Sequence, residues 1–148
     1  MAPDKPTYRA LENQVRKLEK DLKREREVGD LLYHVLDTSN ATIWYWNIKT
    51  DELTKDPRFF DILGYGPKPL KQTLDGWKQA HDPSEWSEII RLLDAHLRGE
   101  SPVYFHENRL RTKAGQWKWV QTRGKAVSWD DQGKPELFME FLQSWLLY

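Results

Sequence analysis

The chain of 148 residues contains no cysteine. That absence excludes disulfide scaffolds, thiolate metal sites, iron–sulfur clusters and cysteine nucleophiles together. Net charge is missing as well, because 23 Lys and Arg balance 23 Asp and Glu. No overall field therefore draws the molecule toward nucleic acid or an anionic membrane. Long apolar runs are the third absence: nowhere do about 18 apolar residues follow one another, and the opening MAPDKPTYRALENQ lacks the apolar segment of a signal peptide. The expectation is a soluble, cytoplasmic protein that contacts no membrane. Its length suits one ordinary domain with a hydrophobic core, plus an appendage.

What is present begins with a charged stretch carrying a narrow apolar stripe. Tyr8, Leu11, Val15, Leu18 and Leu22 follow alternating steps of three and four, the spacing of a coiled-coil seam. The same register reaches Glu25 and Gly29, then recovers at Leu32 and Leu36. The pattern predicts a helix from about Thr7 to Asp37, weakened near Glu25 to Gly29. A stripe this narrow is best buried against a second copy, which makes Tyr8, Leu11, Val15, Leu18 and Leu22 the expected interface of a homodimer. A charge-laced single helix lying on its own domain is the alternative.

From Thr42 the period changes to two. In TIWYW, Ile43 and Tyr45 oppose Trp44, Trp46 and Ile48, which predicts a strand, and Lys49-Thr50-Asp51 turns the chain into a short second strand near Leu53. RFFDILGYGPKPL reads as one or two short helical turns broken by Gly64, Gly66, Pro67 and Pro69. Asp82 as N-cap, Pro83 in the first turn and Glu85 three residues on form a capping-box arrangement for a longer helix. Trp86, Ile89, Ile90, Leu93 and Leu97 line one face of that helix, and Gly99 ends it. Three further strands are predicted at about Val103 to Arg111, Gln116 to Ser128 and Glu136 to Gln143, with turns at Lys113-Ala114-Gly115 and Asp130-Asp131-Gln132-Gly133. The fold class is α+β, with residues 1–37 as leader and coiled-coil helix, 38–143 as the domain and 144–148 as an apolar tail.

Particular residues stand at the junctions of this order: Trp44-x-Trp46 followed by Asn47, Pro57-Arg58-Phe59, Leu63-Gly64-Tyr65 with Pro67, His81-Asp82-Pro83, and His96-Leu97-Arg98-Gly99. They continue with Glu107-x-Arg109-Leu110, Gly115-Gln116-Trp117-Lys118-Trp119-Val120, Arg123-Gly124 and Asp131-x-Gly133-Lys134-Pro135. In order, from about Leu36 to Leu142, they resemble the PAS sensory domains of bacterial signalling proteins. The resemblance implies a five-stranded antiparallel sheet covered by helices on one face, in a domain that senses or mates rather than catalyses. It places Trp44 and Trp46 on the first strand, near the middle of the sheet, and implies a histidine kinase or a diguanylate cyclase as output partner. Two departures stand out. The order His81-Asp82-Pro83 differs from the usual His-Pro-acidic, and FMEFLQSWLLY replaces the glycine and Asp-Ile-Thr that commonly close the last strand.

His96 on the long helix raises haem ligation, but a histidine before the helix-ending glycine fits the family pattern, and a cation is welcome at a helix C-terminus. Flavin adduct chemistry needs a cysteine. His81 with Glu85 supplies two metal ligands without a third, and Asp130-Asp131 with Gly133 reads as a turn rather than a calcium loop. No catalytic constellation has a recognised spacing, so no catalytic residue, metal or cofactor is assigned. RLRTKAGQWKWVQTRGK carries six basic residues and two tryptophans without an acid, a composition seen in single-strand binders. The preferred reading turns Trp117 and Trp119 toward core or pocket, with Arg and Lys outward and no nucleic-acid partner.

The resulting expectation is a sensory module that binds a small-molecule ligand or a partner protein and signals through its dimeric helix. The cavity walls are expected between sheet and long helix at Trp44, Trp46, Ile90, Leu93 and Trp119. An interior filled by side chains, in a ligand-free interaction module, stands equally open.

Overall fold

The computed structural model describes residues 3–56, 58–63 and 73–144. Pro57, the Gly64-Tyr65 and Pro67 positions and the tail from 145 to 148 lie outside these residues. The chain divides into two compact units, one ending at Thr38 and one beginning at Ser39.

The first unit is a helix, α1, spanning Tyr8–Thr38. Thr7 caps it, its hydroxyl accepting from the Ala10 N–H at 3.2 Å and its carbonyl from the Leu11 N–H at 3.0 Å. The weakening expected at Glu25 to Gly29 does not interrupt the helix. A single helical glycine costs about 1 kcal/mol relative to alanine, too little to break a run this long. Tyr8, Leu11, Val15, Leu18 and Leu22 are all exposed.

In the second unit the sequence periods become β1 (Ala41–Asn47), β2 (Glu52–Lys55), α2 (Arg58–Leu63), α3 (Leu74–Lys78), α4 (Pro83–Leu97), β3 (Tyr104–Arg111), β4 (Trp117–Trp129) and β5 (Pro135–Ser144). The strands form one sheet in the order β2-β1-β5-β4-β3, and every neighbouring pair is antiparallel. Boundaries fall within a residue or so of expectation, while α3 lies beyond the segment read as short helical turns. The β1–β2 turn is held by Asn47, whose Oδ1 accepts from the N–H groups of Lys49 and Thr50, and Asp51 takes a positive φ of 55°.

Alternation assigns the faces. Trp44 and Trp46 on β1, Leu53 on β2, Tyr104 and Leu110 on β3, Val120 on β4, and Phe138 and Leu142 on β5 join Phe59, Leu63, Trp77, Ile89 and Leu93 of the helices in one core. The helices therefore cover the inner face, and the other face of the sheet carries Phe105, Arg123, Lys125 and Val127 toward solvent. Gly124 sits opposite Tyr104 and Glu140 in the inner face. A Cβ at Gly124 would stand 2.5 Å from Phe138 Cζ and 2.7 Å from the Met139 carbonyl. Glycine is thus required there by close approach.

Gly124→Ala is expected to lower stability by about 1–3 kcal/mol in urea unfolding, since the backbone oxygen of β5 cannot yield as a side chain would. A loss below about 0.5 kcal/mol would show that the approach is relieved at no cost.

Candidate functional site

The inner face of the sheet carries a row of residues that crosses all five strands: Lys55 opposite Trp44, Trp44 opposite Glu140, Glu140 opposite Gly124, and Gly124 opposite Tyr104. An acid, a base and an indole thus stand where apolar side chains would pack best. The neighbouring Trp46 shows the usual solution, since its Nε1–H donates to Asp51 Oδ1 at 2.9 Å, and the same oxygen accepts from the Leu74 N–H at 3.1 Å. That contact ties the β1–β2 turn to the start of α3.

Trp44 has no such arrangement. It is 1% exposed, and its Nε1–H has no hydrogen-bond partner among the described residues. Its ring meets Trp77 at 5.6 Å and Phe138 at 5.8 Å. Lys55 Nζ lies over the rings of Phe59 at 4.6 Å and Trp77 at 5.1 Å, again without a hydrogen-bond partner among the described residues. Burial pushes its amine down to about 8. Cation–π attraction from two rings offsets part of the lost hydration but supplies no acceptor. Glu140 is buried, and burial alone pushes its carboxyl well above the usual range. Burial also raises the Tyr104 hydroxyl, and the nearby Glu140 adds to that shift. Such an interior can hold a proton or offer hydrogen bonds to a polar guest.

Two histidines tie the helices to this core. The buried His81 donates from Nδ1 to the Trp77 carbonyl at 2.8 Å, and its ring packs on Trp77 and Trp86. Burial pushes its imidazole down to about 4. His96 bridges α4 to the sheet: Nε2 accepts from the Ala126 N–H at 2.9 Å, so Nδ1 carries the proton that reaches the Ser101 carbonyl at 2.8 Å. Both ring nitrogens are engaged by backbone, which leaves no lone pair for a haem iron in this arrangement.

Of the expected wall residues, Trp44, Trp46 and Leu93 share the core cluster, and Ile90 packs against it. Trp119 does not join them. It is 47% exposed on the opposite face of β4, next to the inward Val120. The expected orientation of Trp117 and Trp119 is thereby corrected. Val120, Thr122, Gly124 and Ala126 take the inner face, where Phe138 stands opposite Ala126 and closes the space beside Gly124. Arg109 instead lies over both tryptophan rings, at 5.7 Å from Trp117 and 5.5 Å from Trp119.

The capping box is also corrected. Asp82 caps α4, accepting from the Ser84 N–H at 2.9 Å, but Glu85 turns to β3. Its carboxylate accepts from the Arg109 N–H at 3.0 Å and from Arg109 Nε at 3.3 Å, while the far end of the guanidinium pairs with Asp82. Glu85 therefore clamps the edge strand instead of joining His81 at a metal. Among the described residues, no group of three or more His, Cys, Asp or Glu could hold a metal ion. Asp130 makes a turn, its Oδ1 accepting from the N–H groups of Gln132 and Lys134.

Lys55 and Glu140 were absent from the expected site. The available signal was their position in the strand alternation, Leu53-x-Lys55 and Phe138-x-Glu140-x-Leu142, which gives each the parity of core residues.

Two of the buried ionisable groups, Glu140 and His81, act on stability in opposite pH ranges. Glu140 is raised in the fold, so its contribution is complete below its usual 4.5 and is lost as pH rises through the folded value. Glu140→Gln is expected to match wild type in urea unfolding at pH 4 and to exceed it at pH 8; equal stabilities at pH 8 would contradict the burial of the charge. His81 is depressed from 6.5 to about 4, so its contribution is complete above 6.5 and is lost as pH falls toward 4. That loss amounts to about 3 kcal/mol. His81→Gln should flatten the stability profile between those two values, and an unchanged slope there would contradict the assignment.

The sequence pattern of the PAS fold matches residues 52–141. No curated protein matches the chain significantly. Among solved structures, the chain is similar to a sensory box histidine kinase/response regulator from Burkholderia thailandensis E264, with 27% identity over 77% of this chain and 83% of that one, at a TM-score of 0.65. It is similar as well to the N-terminal domain of a diguanylate cyclase with PAS/PAC sensor from Marinobacter aquaeolei, with 19% identity over 70% of this chain and 94% of that one, at a TM-score of 0.59. The five-stranded antiparallel sheet with its helices on one face agrees with that match, and the pattern spans more than half of the sequence: the chain belongs to the PAS fold family.

Proposed function

We propose that the chain is a sensory and regulatory module of bacterial signal transduction, which binds a small polar ligand in its interior and acts through a dimer formed by α1. The observation that carries this reading is the inner row of Lys55, Trp44 and Glu140. Each is a polar group taken out of water, and Trp44 Nε1 and Lys55 Nζ have no hydrogen-bond partner among the described residues. A fold serving stability alone gains nothing from such groups, and a guest bearing a hydrogen-bond acceptor would relieve them. Trp44, Trp46, Leu93 and Ile90 would wall the site, and Trp119 would take no part. Signalling would follow from a difference in ligand affinity between two arrangements of the dimer. The output partner would be a histidine kinase or a diguanylate cyclase, as in the proteins to which the chain is similar. The module would regulate rather than catalyse, and would work in the cytoplasm; among the described residues no helix is long and apolar enough to cross a membrane.

A second reading, a ligand-free module that only pairs chains, is favoured by the exposed stripe from Tyr8 to Leu22. Native mass spectrometry of protein purified without added cofactor, set against the denatured mass of the same sample, separates the two. A dimer with extra non-covalent mass is expected. A bare dimer would favour the second reading, and a bare monomer at tens of micromolar would contradict both. Leu18→Glu should weaken the dimer by roughly 30-fold or more, since each protomer loses a buried leucine and buries a charge. An unchanged association constant in light scattering would remove α1 as the interface.

A further inference from the structure

The charges that flank the α1 stripe decide how two copies of it can pair. With Tyr8, Val15 and Leu22 at the first apolar position of each heptad and Leu11 and Leu18 at the second, the flanking positions are Gln14 and Asp21 on one side and Glu12, Glu19 and Arg26 on the other. These side chains are exposed along an unbroken helix.

In a parallel pair each flanking residue meets the opposite flank of its partner five positions on. Gln14 then faces Glu19 of the second copy, and Asp21 faces Arg26, so the one fully charged contact is attractive and occurs twice. In an antiparallel pair that keeps the whole stripe buried, Leu11 meets Leu22 and Val15 meets Leu18. Like flanks then adjoin, Glu12 lies beside Glu19 twice, and Arg26 has no acid opposite it within the stripe. The seam itself sets a limit. Glu25 occupies the next apolar position, where in a parallel pair it faces its own counterpart, a like-charge contact that weakens the packing there although Arg26 of the other copy adjoins it. Gly29 follows, with nothing within 4 Å of where its Cβ would stand. Glycine gives a partner helix no knob to grip.

We propose that α1 pairs in parallel and in register with α1 of a second copy of this chain, through Tyr8, Leu11, Val15, Leu18 and Leu22, with Asp21 of each copy paired to Arg26 of the other. The close contact is interrupted at Glu25 and Gly29, before Leu32 returns to the same register. The inference rests on the dimer proposed above and adds its orientation, its register and its limit.

The absence of native cysteine makes the test direct. Leu18→Cys is expected to oxidise to a disulfide-linked dimer within minutes under mild oxidant, because a parallel, in-register seam places the two thiols face to face. Gly29→Cys should cross-link at least about tenfold more slowly, as close packing is interrupted there. If Leu18→Cys does not cross-link alone but does so when mixed with Val15→Cys, the pair is antiparallel and the inference is overturned while the dimer stands. If neither sample cross-links and light scattering shows monomer, the dimer reading itself fails. The charge contact has its own readout. Arg26→Glu should weaken the dimer about tenfold, and the double change Arg26→Glu with Asp21→Arg should restore it, because the pair is then reversed and not removed. Failure of the double variant to recover would overturn the assigned contact, since an effect on helix propensity alone is not rescued by the second change.

Discussion

The sheet domain depends on Trp44 standing between its two layers. From β1 its ring reaches Trp77 of α3 on one side and Phe138 of β5 on the other. Trp77 carries the contact on to Phe59 and His81, and Phe138 carries it to Tyr104 and His96. Every helix among the described residues of the domain thus meets the sheet through one connected set of rings. The close passage of Gly124 over Phe138 follows from that arrangement, because the central strand can seat a large ring only where β4 has no side chain.

The same contact creates the domain's main expense. A tryptophan placed deep enough to join both layers carries its indole N–H away from water, and here no acceptor follows it among the described residues. Its neighbours across the two adjacent strands are Glu140, which is buried, and Lys55, which is half-buried with its amine out of water. Hydrophobic burial elsewhere has to outweigh this, and the aromatic density of the core supplies the surplus. The groups on which a polar guest would act are therefore built into the element that holds the fold together, so a change at one is felt through Trp77 by the helices.

Much of the fold is legible in the sequence. The change of period at Thr42, the glycine after the long helix and the two turn segments between the last strands placed the elements within a residue or so. What alternation could not supply was a sign. It put Trp117 and Trp119 on one face of β4 but not on which, and tryptophan's usual burial favoured the wrong choice. Gly124 and Ala126 carry the missing information, since the face they share is the one that fits against the Phe138 ring. Glu85 misled for a related reason: three residues after an N-cap, its local partner was obvious, while Arg109, 24 positions away, became a neighbour only once β3 had paired. Lys55 and Glu140 were hidden because charge normally marks the outer parity of a strand, and here it marks the inner one.

The central claim is that the interior carries an acid whose charge the fold does not offset. Carbon-13 NMR of the Glu140 side-chain carboxyl, assigned by comparison with Glu140→Gln and followed from acid to neutral pH, tests it most directly. The account expects that signal to remain that of a protonated carboxyl well above 4.5, with no inflection in the ordinary range of exposed carboxylates. An inflection near 4.5 would mean that water or a cation reaches the carboxylate, and the uncompensated row on which the proposed function rests would not exist.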